Sequence, residues 1–213
     1  MNLFKIYGVM GCGKSTLTEA LAKEFNASLW IEPFKENPFL PLFYKEMSEI
    51  PNNSYNKYGL PLQLFFLTSY MRQNSDILEN TGNINIQDGG AFSGFAFTKT
   101  QYRSGMISKF EYEYFTSLFK NLKSRLDINY YTFYLDLDVK ESYRRVLKRA
   151  KEDPSRSQET SAPIEYLEML DECYKEAFEE LEIPVEYVDV NGLSIEEGSE
   201  MFSGRIETLV KRL

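Results

Sequence analysis

The sequence predicts an α/β fold: a central, mainly parallel five-stranded sheet flanked by helices, with a lid loop. Three observations carry that prediction. Apolar β-rich runs alternate with longer stretches of helical spacing along the chain. The motif G-x-x-x-x-G-K-S stands between the first strand-like run and the first helical one. No apolar run approaches the length of a bilayer span, so no transmembrane segment or membrane partner is expected.

The elements follow in order. Residues 3–9 (LFKIYGV) read as the first strand, and residues 15–25 (STLTEALAKEF) as the helix that follows the motif. Residues 28–32 (SLWIE) form the second strand, ended by Pro33, which also sets the direction of the exit. A long helical pattern covers residues 60–80, and a third strand, NINIQD, covers residues 83–88. Helical spacing returns at residues 109–122. The strand YYTFYLDLD (residues 130–138) and the helix KESYRRVLKRAKE (residues 140–152) come next. The polar segment EDPSRSQETSAP (residues 152–163) reads as a mobile loop, with Pro163 suited to the first turn of a helix over residues 163–181. The strand PVEYVDV (residues 184–190) completes the five. There is no internal repeat and no linker, so residues 1–213 are expected to form a single domain, with a lid at about residues 149–162.

Composition narrows the chemistry. The net charge is −8, which argues against binding a nucleic acid polymer, an interaction that relies on basic surface. Two cysteines, Cys12 and Cys173, provide no disulfide framework or metal-ligand spacing, and a reducing cytoplasm fits them best. The N-terminal MNLFKIYG lacks the features of a cleavable signal. There is no histidine at all, so any general base must be a carboxylate, a lysine, a tyrosine or a thiolate.

The motif itself comprises Gly8, Gly13, Lys14 and Ser15. Its backbone, with Gly11, Cys12 and Thr16, can curl amide groups around phosphates at the positive end of a helix. Lys14 would reach the β- and γ-phosphates, and the Ser15 hydroxyl would ligate Mg²⁺. Cys12 reads more simply as a small filler than as a reactive thiolate. In open α/β sheets ligands gather at the carboxyl ends of the strands, which places Glu32 and Asp88 facing this loop. A carboxylate there can take the proton of an attacking hydroxyl; a glutamate at a strand end can also be mere surface.

Further along, IEPFKENPFLPLFYKEM and YGLPLQLFFLTSYMRQ resemble the deoxyribonucleoside kinase family. So, in order, do FEYEYFTSLF, the arginine-rich YRRVLKRAKE with its following P-x-x-Y-L-x-x-L helix, and YVDVNG. The resemblance spans nearly the whole chain and implies a P-loop kinase with ATP, Mg²⁺ and a deoxynucleoside as substrates, working as a homodimer through the long helices. It implies roles residue by residue. Glu32 is the base for the sugar 5′-hydroxyl, Gln63 bonds the base edge, and Phe97 stacks on the base. Asp88 helps place Mg²⁺ with Ser15. Arg145, Arg149 and Arg156 serve the phosphates, and Glu159 reaches the 3′-hydroxyl. Asp189 and Asn191 lie in the loop over the adenine of ATP.

One stretch departs from the family pattern. Where the family carries Asp/Glu-Arg-Ser, this chain reads Asp88-Gly89-Gly90, so glycine stands in the arginine's place. The segment to Phe97 is one residue short, which blurs the register of Gly94. Tyr70 stands near another expected arginine. Two rival readings share the loop. A thymidylate-type monophosphate kinase would need extra cations, for which Arg72 and Arg103 are the candidates. A non-catalytic nucleotide switch would not need Glu32 or the lid arginines.

Overall fold

The computed structural model describes residues 2–51, 54–80, 84–126 and 130–211. Five strands form one sheet in the order β2-β3-β1-β4-β5: β1 (Asn2–Tyr7), β2 (Ser28–Trp30), β3 (Ile84–Asp88), β4 (Tyr131–Asp136) and β5 (Glu186–Asp189). All four pairings are parallel. The central strand β1 is buried on both faces, with Leu3, Phe4, Ile6 and Tyr7 at most 1% exposed. That explains its nearly continuous apolar reading in place of an alternating one. Asn83, assigned above to the third strand, lies outside the described residues.

β2 is shorter than its sequence suggests. Its pairing with β3 stops at Trp30, and the Glu32 carbonyl accepts the Phe34 amide at 2.8 Å in a tight turn instead. Pro33 has no N–H to give to a ladder, so Ile31 and Glu32 leave the sheet. This frees the Glu32 side chain to point away from strand packing.

The helices anticipated from periodicity are α1 (Lys14–Glu24), α3 (Gly59–Glu79), α5 (Lys109–Leu126), α6 (Val139–Glu152) and α7 (Ile164–Glu180). Three more were not anticipated: α2 (Leu40–Glu49), α4 (Ala91–Arg103) and α8 (Ile195–Val210). α4 is packed between α3, α5 and α7, and Ala91 through Ala96 are all buried. Because Ser93, Thr98, Thr100 and Gln101 are buried along with its apolar residues, the helix has no clean split into apolar and polar faces to betray it. Its hydroxyls are absorbed internally, Thr98 bonding the Gly94 carbonyl at 2.6 Å and Thr100 that of Ala96 at 2.9 Å. α8 did carry a signal: Ser194 and Glu197 form a capping box at its start. The polar segment expected as a mobile loop forms a 3₁₀ helix, Pro154–Ser161, packed against α6 and α2. Among the described residues no helix is long and apolar enough to cross a membrane.

Candidate active site

At the carboxyl end of β1 the chain turns through the glycine-rich loop into α1. Gly13 caps the helix and accepts the Leu17 amide at 3.0 Å. Gly11 has φ of 84°, and a Cβ there would lie 2.3 Å from the Ser142 carbonyl of α6. Only glycine permits both that dihedral and that approach. The contact brings α6 onto the loop, so that Arg145 Nη1 is 3.8 Å from where a Gly13 Cβ would stand.

The Lys14 ammonium donates to the Gly8 and Val9 carbonyls at 2.8 and 3.0 Å. Burial works against its charge, but Cys12, Asp88 and Glu32 more than compensate, and its pKa is raised. Cys12 is buried, its amide bonds the Val9 carbonyl, and burial pushes its thiol pKa up. A Cβ on Gly8 would meet Cys12 Sγ at 2.6 Å, so the thiol fills space behind the loop. The Cys12 side chain is a packing group here; Gly11, Gly13, Lys14, Ser15 and Thr16 line the cleft, and Asp88 meets it through Ser15.

Register brings the acids to the loop. Asp88 pairs with Ile6 across the sheet, level with the start of the loop. The Ser15 hydroxyl donates to Asp88 Oδ2 at 2.6 Å, while Oδ1 is buried without a hydrogen-bond partner. A hydroxyl and a carboxylate with an unused oxygen are hard donors of the kind Mg²⁺ takes, one or two at a time, alongside substrate phosphates. The pair fits that ion. Among the described residues no group of three or more His, Cys, Asp or Glu side chains could hold a metal by itself.

Glu32 faces the same space. Burial first, and the charge of Asp88 second, push its carboxyl up to about pKa 7, against the pull of Lys14 and Arg156. A carboxyl poised near neutrality suits general base work.

The cleft as a whole encloses about 690 Å³. Gln63 of α3, 2% exposed, and Phe97 of α4 line its far end. Phe97 sets its ring edge-on to Tyr174 at 6.2 Å. Gly94 lies opposite Gln63, where a Cβ would stand 3.7 Å from Gln63 Oε1. At the near end stand α6 and the 3₁₀ segment Pro154–Ser161. Arg149 and Arg156 both pair with Glu159, the latter at 3.5 Å, and the Arg156 guanidinium rests 4.2 Å above the Phe34 ring. Arg149 Nε is buried and makes no hydrogen bond. One cleft therefore joins the glycine-rich loop, a magnesium-suited pair, a neutral-range carboxyl, the arginines of α6 and the 3₁₀ segment, and an amide–aromatic pocket.

Residues 4–211 match the family model described as "Deoxynucleoside kinase". The chain belongs to the deoxynucleoside kinase family. It is a phosphotransferase whose acceptor is an alcohol group, and it uses a nucleotide phosphate donor. A deoxyadenosine kinase of Dictyostelium discoideum is 27% identical over 87% of this chain and 70% of its own length. A deoxyguanosine kinase of the same organism is 30% identical over 79% of this chain but only 55% of its own length. The deoxyadenosine kinase of M. mycoides, solved with bound dATP, shares the fold: its TM-score is 0.78, with 23% identity, covering 97% of this chain and 100% of that one.

Within this kinase two departures from the family pattern meet in space. The Tyr70 hydroxyl lies 3.5 Å from Glu32 Oε1 and 3.4 Å from the Asp88 carbonyl. Gly89 has φ of 74°, and a Cβ on it would meet Tyr70 Oη at 2.9 Å. Tyr70 occupies the space beside Glu32 that a side chain at position 89 would otherwise claim. Gly89→Ala is accordingly expected to destabilise the kinase by about 1–3 kcal/mol, from backbone strain and the clash together. Combining it with Tyr70→Phe, which removes the nearest atom, should recover part of that loss. Thermal melts of both single variants and the double variant check this; strictly additive losses would mean that the two residues do not meet.

The donor-side loop of the kinase differs from expectation. Asp189 and Asn191 do not line the cleft. The Asn191 side chain bonds the Asp138 amide at 2.9 Å, the Asp136 carbonyl and the Asp189 carboxylate, so both residues tie β5 to the end of β4. From this loop it is Leu193, Ser194, Ile195 and Glu196 that reach the cleft. The capping box of Ser194 was the sequence signal that could have found them.

Proposed function

We propose that this kinase transfers the γ-phosphate of ATP to the 5′-hydroxyl of a deoxynucleoside, as a step of nucleotide salvage, with Mg²⁺ held by Ser15 and Asp88. The observation that carries the reading is Glu32: a carboxyl near neutrality at the junction between the phosphate loop and the amide–aromatic pocket. Lys14 and Arg145 take the donor phosphates, and the backbone of Gly8, Gly11, Cys12, Gly13 and Thr16 cradles them. The ion, when bound, supplies positive charge to the phosphate oxygens. Glu32 accepts the proton of the attacking hydroxyl. Gln63 and Phe97 hold the base. Arg149 and Arg156 neutralise the transferring group, and Glu159 both orients them and reaches the sugar 3′-hydroxyl.

A monophosphate acceptor fits less well. Arg72 is exposed and Arg103 pairs with Glu176 at 2.8 Å, and neither lines the cleft. A dianion would instead face Glu32 and Glu159, each near pair of like charges at 4 Å opposing it by about 4 kcal/mol at intermediate dielectric. The test supplies ATP and Mg²⁺ with each natural deoxynucleoside and each monophosphate. Transfer to a nucleoside and none to its monophosphate is expected; the reverse pattern overturns the reading.

The kinase pairs with a second copy through its long helices. On α5, Phe110 and Tyr114 stand one turn apart at 77% and 51% exposure, an apolar stripe suited to a like partner. Sedimentation should give twice the chain mass, and Phe110→Glu should shift it toward the monomer. A monomeric parent would reject the dimer.

A further inference from the structure

We propose that Gln101 is a second base-reading residue, joining Gln63 to present two neutral amides to the polar edge of the nucleobase. The proposal rests on the function given above. Gln101 is fully buried on the cleft wall, and both its Nε2 and Oε1 lack hydrogen-bond partners. Native proteins keep few buried amides without partners.

Its surroundings leave both polar atoms of the amide without a well-formed hydrogen bond. The neighbouring hydroxyls of Thr98 and Thr100 are taken by the Gly94 and Ala96 carbonyls. The Tyr166 phenol, also on the cleft wall, interacts with the Gln101 side chain, which opposes the rise that burial gives its pKa, yet neither Gln101 polar atom reaches a partner at hydrogen-bond geometry. The backbone, by contrast, is anchored: the Gln101 carbonyl accepts the Met106 amide at 2.8 Å and that of Ile107 at 3.3 Å. On α4, Gly94, Phe97 and Gln101 follow at spacings of three and four, so they share one face. That face already carries the aromatic residue of the acceptor pocket and the glycine opposite Gln63.

The chemistry indicates the class of ligand. A carboxamide offers one acceptor and one donor in a plane, which matches adjacent donor and acceptor atoms on a base edge. Gln63, Gln101, Tyr166 and Phe97 are all uncharged, so the pocket suits a neutral heterocycle. Binding the base would satisfy polar atoms that the free protein leaves unpaired.

Gln101→Leu separates this role from a structural one. It keeps the bulk and removes the unpartnered atoms, so its melting temperature should equal or exceed that of the parent. Its kcat/KM for the preferred deoxynucleoside should fall at least tenfold, chiefly through KM, and the ranking among the four natural deoxynucleosides should flatten. Gln101→Met, which fills the same space by a different shape, should behave alike and guards against mispacking in the leucine variant. Folded variants that keep the parent's ranking and stay within twofold of its kcat/KM would overturn the proposal. So would an equal loss for all nucleosides with a lowered melting temperature. A parent that transfers to no nucleoside would instead remove the underlying function, and this proposal with it.

Discussion

Replacing Lys14 with alanine is expected to lower kcat/KM by about a hundredfold or more while the fold survives. The ammonium stays charged because three acidic groups around the loop raise its pKa against the effect of burial. In the proposed reaction it would face charge spread over the transferring phosphoryl oxygens, and a fixed charge in a partly closed site is worth about 3 kcal/mol there. Its ties to the Gly8 and Val9 carbonyls are two hydrogen bonds at the edge of the cleft, which water can replace, so the melting temperature should move little. Steady-state kinetics beside a thermal melt checks both halves. Near-parental turnover in a folded Lys14→Ala protein would remove phosphoryl transfer from this loop.

Glu32→Gln should lower kcat by about 10² to 10⁴ with nucleoside binding largely kept, because the amide retains shape and polarity but cannot accept a proton. The pH dependence gives a second, independent reading. The folded carboxyl titrates at about 7, above its unfolded value near 4.5, so the native state holds a proton that the unfolded chain has released. The parent's stability contribution from this group is therefore full below about pH 4.5 and lost as the pH rises through 7. Relative to the parent, Glu32→Gln should gain melting temperature between those values and keep the gain above them. The parent's kcat/KM should rise with pH through the same region, since only the ionised form is a base. If nucleoside binding collapses while kcat survives, Glu32 positions substrate and the base lies elsewhere, with Asp88 the next candidate.

Much of this was legible in the residues. The strand–helix alternation announced the parallel sheet, and the loop motif announced a phosphate site, because both depend on local spacing and on glycine and lysine at fixed offsets. Glu32 was legible through Pro33, which stops the strand wherever it occurs. What stayed hidden has physical reasons too. α4 could not be seen because its polar Ser93, Thr98, Thr100 and Gln101 are buried together with its apolar residues, so polarity does not separate into faces. Asp189 and Asn191 were expected at the adenine from the family resemblance of YVDVNG, but Asn191 uses its side chain on Asp136, Asp138 and Asp189, and residues 193–196 line the cleft.

By itself, then, the sequence determined which groups are available: a glycine-rich loop carrying Lys14 and Ser15, carboxylates in a chain without histidine, and arginines ahead of a polar segment. Those follow from residue identity and near-neighbour spacing. Only the tertiary structure decided how the distant pieces meet. Tyr70 and Gly89 are separate oddities along the chain and one steric arrangement in space. Gln101 is an ordinary residue in the string and becomes an unpartnered buried amide only when α4 closes against α3 and α7. Glu32 acquires its near-neutral pKa from burial and from Asp88, which lies 56 positions away along the chain. Burial and through-space charge are properties of the packed molecule, and no stretch of sequence contains them.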